Sequence, residues 1–120
     1  MKLLVTVVLV FLISCVSCIR EEVGERIQYI QPGDELPDFT VTMDDGTVLD
    51  RNSLEGKVSV LVFFHTSCPD CQRELPVVQK LYEHLQGDSR VVIACISREE
   101  AAGEVASYWL RNALTLPYSA

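Results

Sequence analysis

The spacing of hydrophobic residues predicts a strand, a helix and a second strand in the middle of this chain. The run Val58–Phe64 is short, apolar and rich in β-branched and aromatic residues, which is typical of a strand buried on both faces of a parallel sheet. Arg90–Ile96 has the same character and predicts a second buried strand. Between the two runs, apolar residues recur at helical spacing, at Leu75, Val78, Leu81, Tyr82 and Leu85. This order predicts a right-handed βαβ unit with parallel strands.

Shorter elements are predicted on either side of this unit. Phe39–Thr42 and Thr47–Leu49 alternate like strands around a turn at Asp44–Gly46, which predicts a β-hairpin. Asn52–Gly56 predicts one helical turn. Glu99–Leu114 predicts a second helix, with an apolar face formed by Val105, Tyr108, Trp109 and Ala113. The fold class is therefore α/β, in a single domain that we assign to residues 31–120.

Two cysteines stand where the first strand ends and the long helix begins. Cys68 and Cys71 form a Cys-x-x-Cys pair, and Pro69 lies at the first helical position, where its missing N–H costs nothing. A helix N-terminus offers free backbone N–H groups and a dipole that favours negative charge, including that of a thiolate. In such a pair the first thiol attacks a disulfide and the second resolves the mixed disulfide. The position therefore favours thiol–disulfide exchange over a structural disulfide.

Other candidate ligands and thiols are assigned no chemistry. Cys95 lies inside the second strand, and we interpret it as a small buried hydrophobic residue. His65 precedes Cys68 by three positions and is interpreted as a loop histidine, although it could also stabilise a thiolate or help to bind copper. A zinc site would need four ligands. Besides Cys68 and Cys71 only His65, His84 and Cys95 are available, and His84 is too far along the helix to join the cysteine pair. We expect neither a metal nor an organic cofactor.

The first residues resemble a bacterial lipoprotein signal. Lys2 is followed by an apolar stretch, and Leu12–Cys15 resembles the lipobox, in which cleavage before the cysteine leaves it lipidated. We therefore expect a signal peptide at 1–14, lipid on Cys15 and a tether at 15–30. An uncleaved anchor and an ordinary cleaved signal peptide are the alternatives, and all three place the domain outside the cytoplasm. The net charge of −7 argues against nucleic acid as a partner.

The Cys-x-x-Cys pair begins a longer motif, Cys68-Pro69-Asp70-Cys71 followed by Glu74 and Pro76. Weaker marks precede it, at Pro32-Gly33, Pro37-Asp38-Phe39, Asp45-Gly46 and Leu54-Glu55-Gly56-Lys57. With these marks the chain, from about Gln31 onwards, resembles the thioredoxin-like superfamily, and within it the exported TlpA/ResA-type oxidoreductases, which are related to the AhpC/TSA peroxiredoxins. The resemblance implies a thioredoxin-like fold, an exposed nucleophile at Cys68 and a buried resolving thiol at Cys71. It also implies that Glu74 is close enough to act as a proton relay.

The sequence departs from the family pattern in three respects. Phe64 and Ser67 stand where many relatives have tryptophan. Asp70 places a carboxylate between the cysteines, which we expect to raise their pKa and to favour a reductase over an oxidase. The family continues with a strand beside a cis-proline, a further strand and a helix. We therefore expect this chain to be truncated at its C-terminus.

The predicted function is reduction of disulfides in client proteins of the bacterial envelope, on the periplasm-facing side. In an oxidising compartment the oxidised pair then needs a membrane thiol relay as electron donor. A peroxiredoxin is the first alternative, but its Pro-x-x-x-Thr-x-x-Cys pattern would need Thr at His65 and Pro at Leu61. The second alternative is a lipid-tethered thioredoxin-like module that binds partners without catalysis.

Overall fold

The computed structural model describes residues 29–120. Its elements in chain order are β1 (Thr40–Thr42), β2 (Val48–Asp50), a short 3-10 helix (Asn52–Leu54), β3 (Val58–Phe64), α1 (Pro69–Leu85), β4 (Val91–Ser97), α2 (Ala102–Arg111) and β5 (Tyr118–Ser119). The predicted signal peptide, the predicted lipidation site Cys15 and most of the tether lie outside the described residues. No helix among residues 29–120 is long and apolar enough to cross a membrane.

Residues 29–34 belong to a unit separate from Glu35–Ala120. Within the first unit the chain turns at Gly33, whose positive φ of 95° suits glycine. The N–H of Asp34 donates to the carbonyl of Gln31 at 3.0 Å, and the carboxylate of Asp34 accepts the N–H of Gln31 at 2.8 Å. The predicted division into 1–14, 15–30 and 31–120 stays a prediction.

The strand–helix–strand prediction is confirmed. β3 and β4 pair in parallel from Val58 opposite Val91 to Phe64 opposite Ser97, and α1 connects them. β5 adds a parallel strand on the other side of β4, so the sheet order is β3-β4-β5. The predicted hairpin is also confirmed, since β1 and β2 pair antiparallel in a sheet of their own.

Alternate residues of β4 face two different layers. Ile93 and Cys95 pack with both helices, in a cluster completed by Phe64, Leu75, Val105, Trp109 and Leu116. Ala94 points the other way and packs with the hairpin and the 3-10 helix, in a cluster completed by Met43, Leu49 and Leu54. The period of two along a strand explains this division. The domain therefore has three layers, with both helices on one face of the central sheet.

Two predictions about burial and helix length are wrong. β3 is not buried along its whole length, because Val58 and Phe63 are 67% and 62% exposed. Within the described residues β3 is an edge strand, paired on one side only. The second helix covers Ala102–Arg111 instead of Glu99–Leu114, because the backbone adopts positive φ at Glu99 and Ala113, and residues with that conformation interrupt a right-handed helix. Ala113 is consequently exposed and does not contribute to the buried face.

Candidate active site

The Cys-x-x-Cys pair lies at the junction that the sequence predicts. Cys68 is the residue immediately before the first turn of α1, with an extended backbone (φ −78°, ψ 119°), and Pro69 begins the helix. The N–H of Cys68 donates to the carbonyl of His65 at 3.0 Å, which closes the tight connection after β3. The carbonyl of Cys68 accepts the N–H of Gln72 at 3.0 Å, the first bond of the helix. The helix N-terminus is thus directed at the Cys68 sulfur, where it favours a thiolate.

The two thiols interact directly, and their pKa values shift in opposite directions. The backbone N–H of Cys71 and then its side chain hydrogen-bond to the Cys68 sulfur and lower the pKa of Cys68. The same side-chain hydrogen bond raises the pKa of Cys71. Both cysteines carry free thiols and are half-buried, and Cys71 also packs against the main core cluster. The expected contrast between an exposed Cys68 and a buried Cys71 is therefore smaller than the resemblance implied.

The charge of Asp70 does not decide the pKa of Cys68. Hydrogen bonds from Cys71 dominate and lower the pKa of Cys68, whereas the charge of Asp70 raises it only weakly. The backbone N–H of Asp70 even contributes to the lowering, and its carboxylate pairs with the Arg73 guanidinium at the protein surface. The Asp70 charge thus acts in the predicted direction, but the net pKa of Cys68 is lowered because the hydrogen bonds from Cys71 outweigh a solvated charge.

Glu74 is exposed on α1, three positions after Cys71. The shift in the pKa of Cys71 comes chiefly from Cys68, and the backbone N–H of His65 and the charge of Arg98 oppose it. A role for Glu74 as proton relay stays a prediction.

A carboxylate that the sequence did not single out contacts the loop that leads from β3 to the thiol pair. Glu100, in the loop between β4 and α2, has a side chain only 2% exposed. The N–H of Thr66 donates to both of its oxygens, at 3.0 and 3.1 Å, and the Thr66 hydroxyl also donates to Oε1. The Ser97 hydroxyl donates to Oε2 at 2.6 Å, and Nδ1 of His65 lies 3.5 Å from Oε1. Burial opposes ionisation of Glu100, but hydrogen bonds from Ser97 and Thr66 hold the pKa of the carboxyl below its ordinary value.

One sequence signal could have located this carboxylate. Parallel strands end at the same edge of a sheet, so the loop after β4 lies next to the loop after β3. Ser97 is the polar last residue of β4 and Glu100 follows the strand, just as His65 and Thr66 follow β3. The prediction of a helix from Glu99 onwards assigned Glu100 to a helix and concealed this proximity.

The remaining candidates lie where the sequence places them. Cys95 is fully buried in β4, and burial raises the pKa of its thiol to about 12. Its interpretation as a small hydrophobic residue is confirmed. His65 is in the loop after β3, where its Nδ1 accepts the N–H of Ser67 at 3.2 Å and lies 2.8 Å from the Ser67 hydroxyl.

Solved structures share this architecture. A solution structure from Bacteroides thetaiotaomicron, of a candidate protein disulfide isomerase, matches with a TM-score of 0.71 and 28% identity, over 75% of this chain and 57% of that one. A secreted Mycobacterium tuberculosis disulfide oxidoreductase homologous to Escherichia coli DsbE matches with a TM-score of 0.58 and 27% identity, over 68% of this chain and 58% of that one. The fold is therefore thioredoxin-like, as predicted.

Curated relatives match at the level of sequence. Thiol-disulfide oxidoreductase ResA of Halalkalibacterium halodurans is 33% identical over 67 residues, which are 56% of this chain and 38% of that protein. Thioredoxin-like protein YneN of Bacillus subtilis is 30% identical over 100 residues, which are 82% of this chain and 55% of that protein. The chain thus spans between about two fifths and just over half of the length of these relatives. The family model named Redoxin matches residues 31–120, and the protein therefore belongs to the Redoxin family.

Proposed function

We propose that this protein is a thiol–disulfide oxidoreductase that exchanges dithiol and disulfide through Cys68 and Cys71. The observation that carries the proposal is the hydrogen-bonded thiol pair at the N-terminus of α1, with opposite pKa shifts in its two members. A lowered pKa gives Cys68 a larger thiolate fraction, and the thiolate is the attacking species. The relatives named ResA are thiol–disulfide oxidoreductases, which supports the same chemistry here.

The exchange proceeds in two displacements. The Cys68 thiolate attacks one sulfur of a client disulfide, so that a mixed disulfide forms and the other client sulfur leaves as a thiolate. Cys71 then loses its proton and attacks the Cys68 sulfur, which releases the second client thiolate and closes the Cys68–Cys71 disulfide. Two electrons pass from the protein to the client, whose two sulfurs end as thiols. A further dithiol donor must reduce the protein again, and a membrane thiol relay is the donor that we propose.

The direction of exchange is part of the proposal. The predicted effect of Asp70 no longer supports a reductase, since the pKa of Cys68 is lowered. The raised pKa of Cys71 comes chiefly from its hydrogen bond with Cys68, which also lowers the pKa of Cys68, so the midpoint potential decides the direction. A midpoint potential well below about −200 mV would place the pair with reductases, whereas one near about −120 mV would reverse the direction.

The experiment is redox equilibration of the protein followed by alkylation and mass spectrometry. Cys68 and Cys71 should become protected from alkylation together at one midpoint, as members of a single disulfide. With a client disulfide, Cys71→Ser should accumulate the mixed disulfide, and Cys68→Ser should form none. Cys95→Ala is the matched control, because Cys95 is buried away from solvent, and it should exchange like the wild type. If Cys68 and Cys71 never form a mutual disulfide, the proposed function is wrong.

We also propose that the protein is a lipoprotein of the cell envelope, anchored through Cys15. The support is the sequence Leu12-Ile13-Ser14-Cys15 after an apolar stretch, together with the secreted Mycobacterium tuberculosis neighbour. Cys15→Ser should move the protein from the membrane fraction to the soluble fraction and remove the lipid mass from its N-terminal peptide. Cys18→Ser, three residues further on, is the matched control and should leave both unchanged. Lipid that persists in Cys15→Ser would contradict the assignment.

A further inference from the structure

The segment between β3 and the thiol pair is held from two sides. On one side, the carboxylate of Glu100 accepts the N–H and the hydroxyl of Thr66. On the other side, the side-chain amide of Gln72, in the first turn of α1, donates to the Thr66 carbonyl at 2.8 Å. The N–H and the carbonyl of Thr66 are therefore each held by a side chain, and the two side chains come from different parts of the chain. Such bonds leave this segment little freedom to rotate.

The loop after β4 is itself fixed against the end of β3. The N–H of Arg98 donates to the carbonyl of Phe64 at 3.0 Å, so the two chain segments remain in contact after their last paired residues. The Ser97 hydroxyl then donates to Glu100 at 2.6 Å and orients its carboxylate. Glu99 adopts a positive φ of 59°, a conformation that is costly for a residue with a side chain. The fold thus accepts backbone strain at the position immediately before the buried carboxylate.

Fixing Thr66 also fixes its neighbour His65, which contacts both ends of the Cys-x-x-Cys motif. The carbonyl of His65 accepts the N–H of Cys68, and its backbone N–H hydrogen-bonds to the Cys71 sulfur. Hydrogen bonds to a thiolate stabilise it only while the donor is directed at the sulfur. Any loosening at Thr66 would therefore reach both cysteines through His65.

We propose that Glu100 is a positioning residue of the dithiol site, which holds Thr66 and, through it, the His65 backbone that contacts Cys68 and Cys71. The inference rests on the proposed function, because it assigns Glu100 a part in tuning the same two thiols. The hydrogen bonds of Glu100 go to Thr66 and Ser97 and to neither sulfur. It acts by keeping the connection after β3 in the geometry that stabilises thiolates.

Replacement of the carboxylate separates positioning from simple charge. Glu100→Gln has nearly the same shape, but its amide nitrogen cannot accept hydrogen bonds, so the N–H of Thr66, which donates to both carboxylate oxygens, loses one of its two acceptors. The variant also removes one negative charge from the protein, and that effect alone would make thiolates form at the same pH or at lower pH. Loss of positioning has the opposite effect, since it weakens the hydrogen bonds to the sulfurs. The sign of the shift therefore distinguishes the two causes.

Glu104→Gln is the matched control. Glu104 is exposed in the first turn of α2, four positions after Glu100, and the substitution removes the same charge without touching Thr66. Asp70 and Arg98, whose charges act on Cys68 and Cys71 respectively, are unchanged in both variants.

The measurement is the alkylation rate of Cys68 against pH in the reduced full-length protein, followed by mass spectrometry. For Glu100→Gln we expect the profile to move about half a unit to higher pH, so that the rate at pH 7 falls roughly threefold. Glu104→Gln should leave the profile in place or move it slightly to lower pH. A profile for Glu100→Gln that is unchanged, or that moves to lower pH like the control, would overturn the proposal even if the variant were less stable.

A second variant keeps the test decisive if Glu100→Gln does not fold. Thr66→Val retains the shape of the side chain and the charge of Glu100 but removes the hydroxyl donor. If Glu100→Gln does not fold, the pH profile of Cys68 alkylation in Thr66→Val decides the question. A shift of that profile to higher pH would support the positioning role of Glu100, and an unchanged profile would contradict it. Alkylation of the reduced protein requires no exchange with a client. A wild-type protein that failed to form the Cys68–Cys71 disulfide would therefore refute the proposed function without affecting this result.

Discussion

Three thiols in the described residues have different environments, and their environments set an order of reactivity. Cys68 accepts hydrogen bonds at a helix N-terminus, the Cys71 thiol donates one of these hydrogen bonds, and Cys95 is enclosed by the core. Alkylation depends on both thiolate fraction and access to solvent. The same functional group is therefore reactive, restrained or inert according to a few neighbouring atoms.

The expected order of alkylation in the folded, reduced protein is Cys68, then Cys71, then Cys95. With burial raising the pKa of Cys95 to about 12, its thiolate is negligible at pH 8. Time-resolved labelling with peptide mass spectrometry measures the order directly. Labelling in denaturant is the control, because unfolding should make all three rates similar. Rapid labelling of Cys95 in the folded protein would contradict the buried environment described for it.

The buried carboxylate of Glu100 makes stability depend on pH. Its pKa is lower in the folded protein than its ordinary value of 4.5, so the folded state binds a proton less readily than the unfolded state. This contribution to the free energy of unfolding is present above pH 4.5 and is lost as the pH falls through the folded pKa. The exposed Asp45 and the half-buried Asp88 also have lowered pKa values and act in the same direction.

Comparison with Glu100→Gln isolates this contribution. Denaturant unfolding at a series of pH values should give a steeper loss of stability below pH 4.5 for the wild type than for the variant. At neutral pH the variant should be the less stable protein, because the N–H of Thr66 keeps only one of its two acceptors. Parallel curves for the two proteins would contradict the assignment of the lowered pKa to Glu100.

At the scale of elements, α2 ends in a Schellman motif in which an alanine, Ala113, occupies the left-handed position. The N–H of Leu114 donates to the carbonyl of Trp109 at 3.0 Å, and the N–H of Ala113 donates to that of Leu110 at 3.3 Å. Ala113 has a φ of 50° at the position where helices usually carry glycine. Its side chain is exposed, so nothing is lost from the core if it is removed.

Ala113→Gly should therefore stabilise the protein by about 0.5–1 kcal/mol, the relief of left-handed strain less the extra entropy of glycine in the unfolded chain. Ala106→Gly is the control within the same helix, since Ala106 is exposed but helical. It should destabilise the protein by about 0.5–1 kcal/mol. Urea midpoints of the two variants should lie on opposite sides of the wild type, and a loss of stability in both would contradict the motif.

The sequence predicts those elements whose pattern is local and fails where distant contacts decide. The strands Val58–Phe64 and Val91–Ser97 agree with their apolar runs to within one residue, and the start of α1 agrees with Pro69. Nothing near Glu99 in sequence marks its positive φ, which accompanies the contact of Glu100 with Thr66, 34 positions earlier. The cysteine pair was predictable from spacing, whereas the carboxylate beside it became visible only once the two loops were brought together.

At the scale of the whole molecule, the core depends on residues that join both helices to the sheet. Trp109 lies between Phe64 and Tyr118, with ring centroids 4.8 Å from each, and its Nε1 donates to the carbonyl of Leu116 at 2.8 Å. Leu116 is fully buried beside it. Gln79 of α1 reaches the same segment, where its side-chain oxygen accepts the N–H of Leu116 at 3.2 Å. One short stretch before β5 is thus bound by both helices.

Leu116→Ala should cost about 2–5 kcal/mol, because the cavity it leaves lies among packed neighbours that cannot fill it. The fluorescence of Trp109, which is the single tryptophan of the chain, reports unfolding in denaturant. Leu110→Ala is the control, since Leu110 is 84% exposed, and it should change stability by no more than about 0.5 kcal/mol. Equal effects of the two substitutions would show that the segment before β5 is not part of the core.

The parallel pairing of β4 with β5 also has a consequence for the order of events during protein synthesis. The N–H of Cys95 donates to the carbonyl of Pro117 at 2.9 Å, and the N–H of Asp44 donates to that of Tyr118 at 2.7 Å, across 74 positions of the chain. A ribosome delivers Cys68, Cys71 and Cys95 before it delivers these partners, and contacts of long sequence separation form late. We therefore expect all three sulfurs to be accessible in the nascent chain. An oxidant that acts before the chain has folded can then join Cys95 to Cys68 or Cys71 in a non-native disulfide. Cys95, which the finished protein buries completely, is therefore as open to mispairing as Cys68 and Cys71 while the protein is being made.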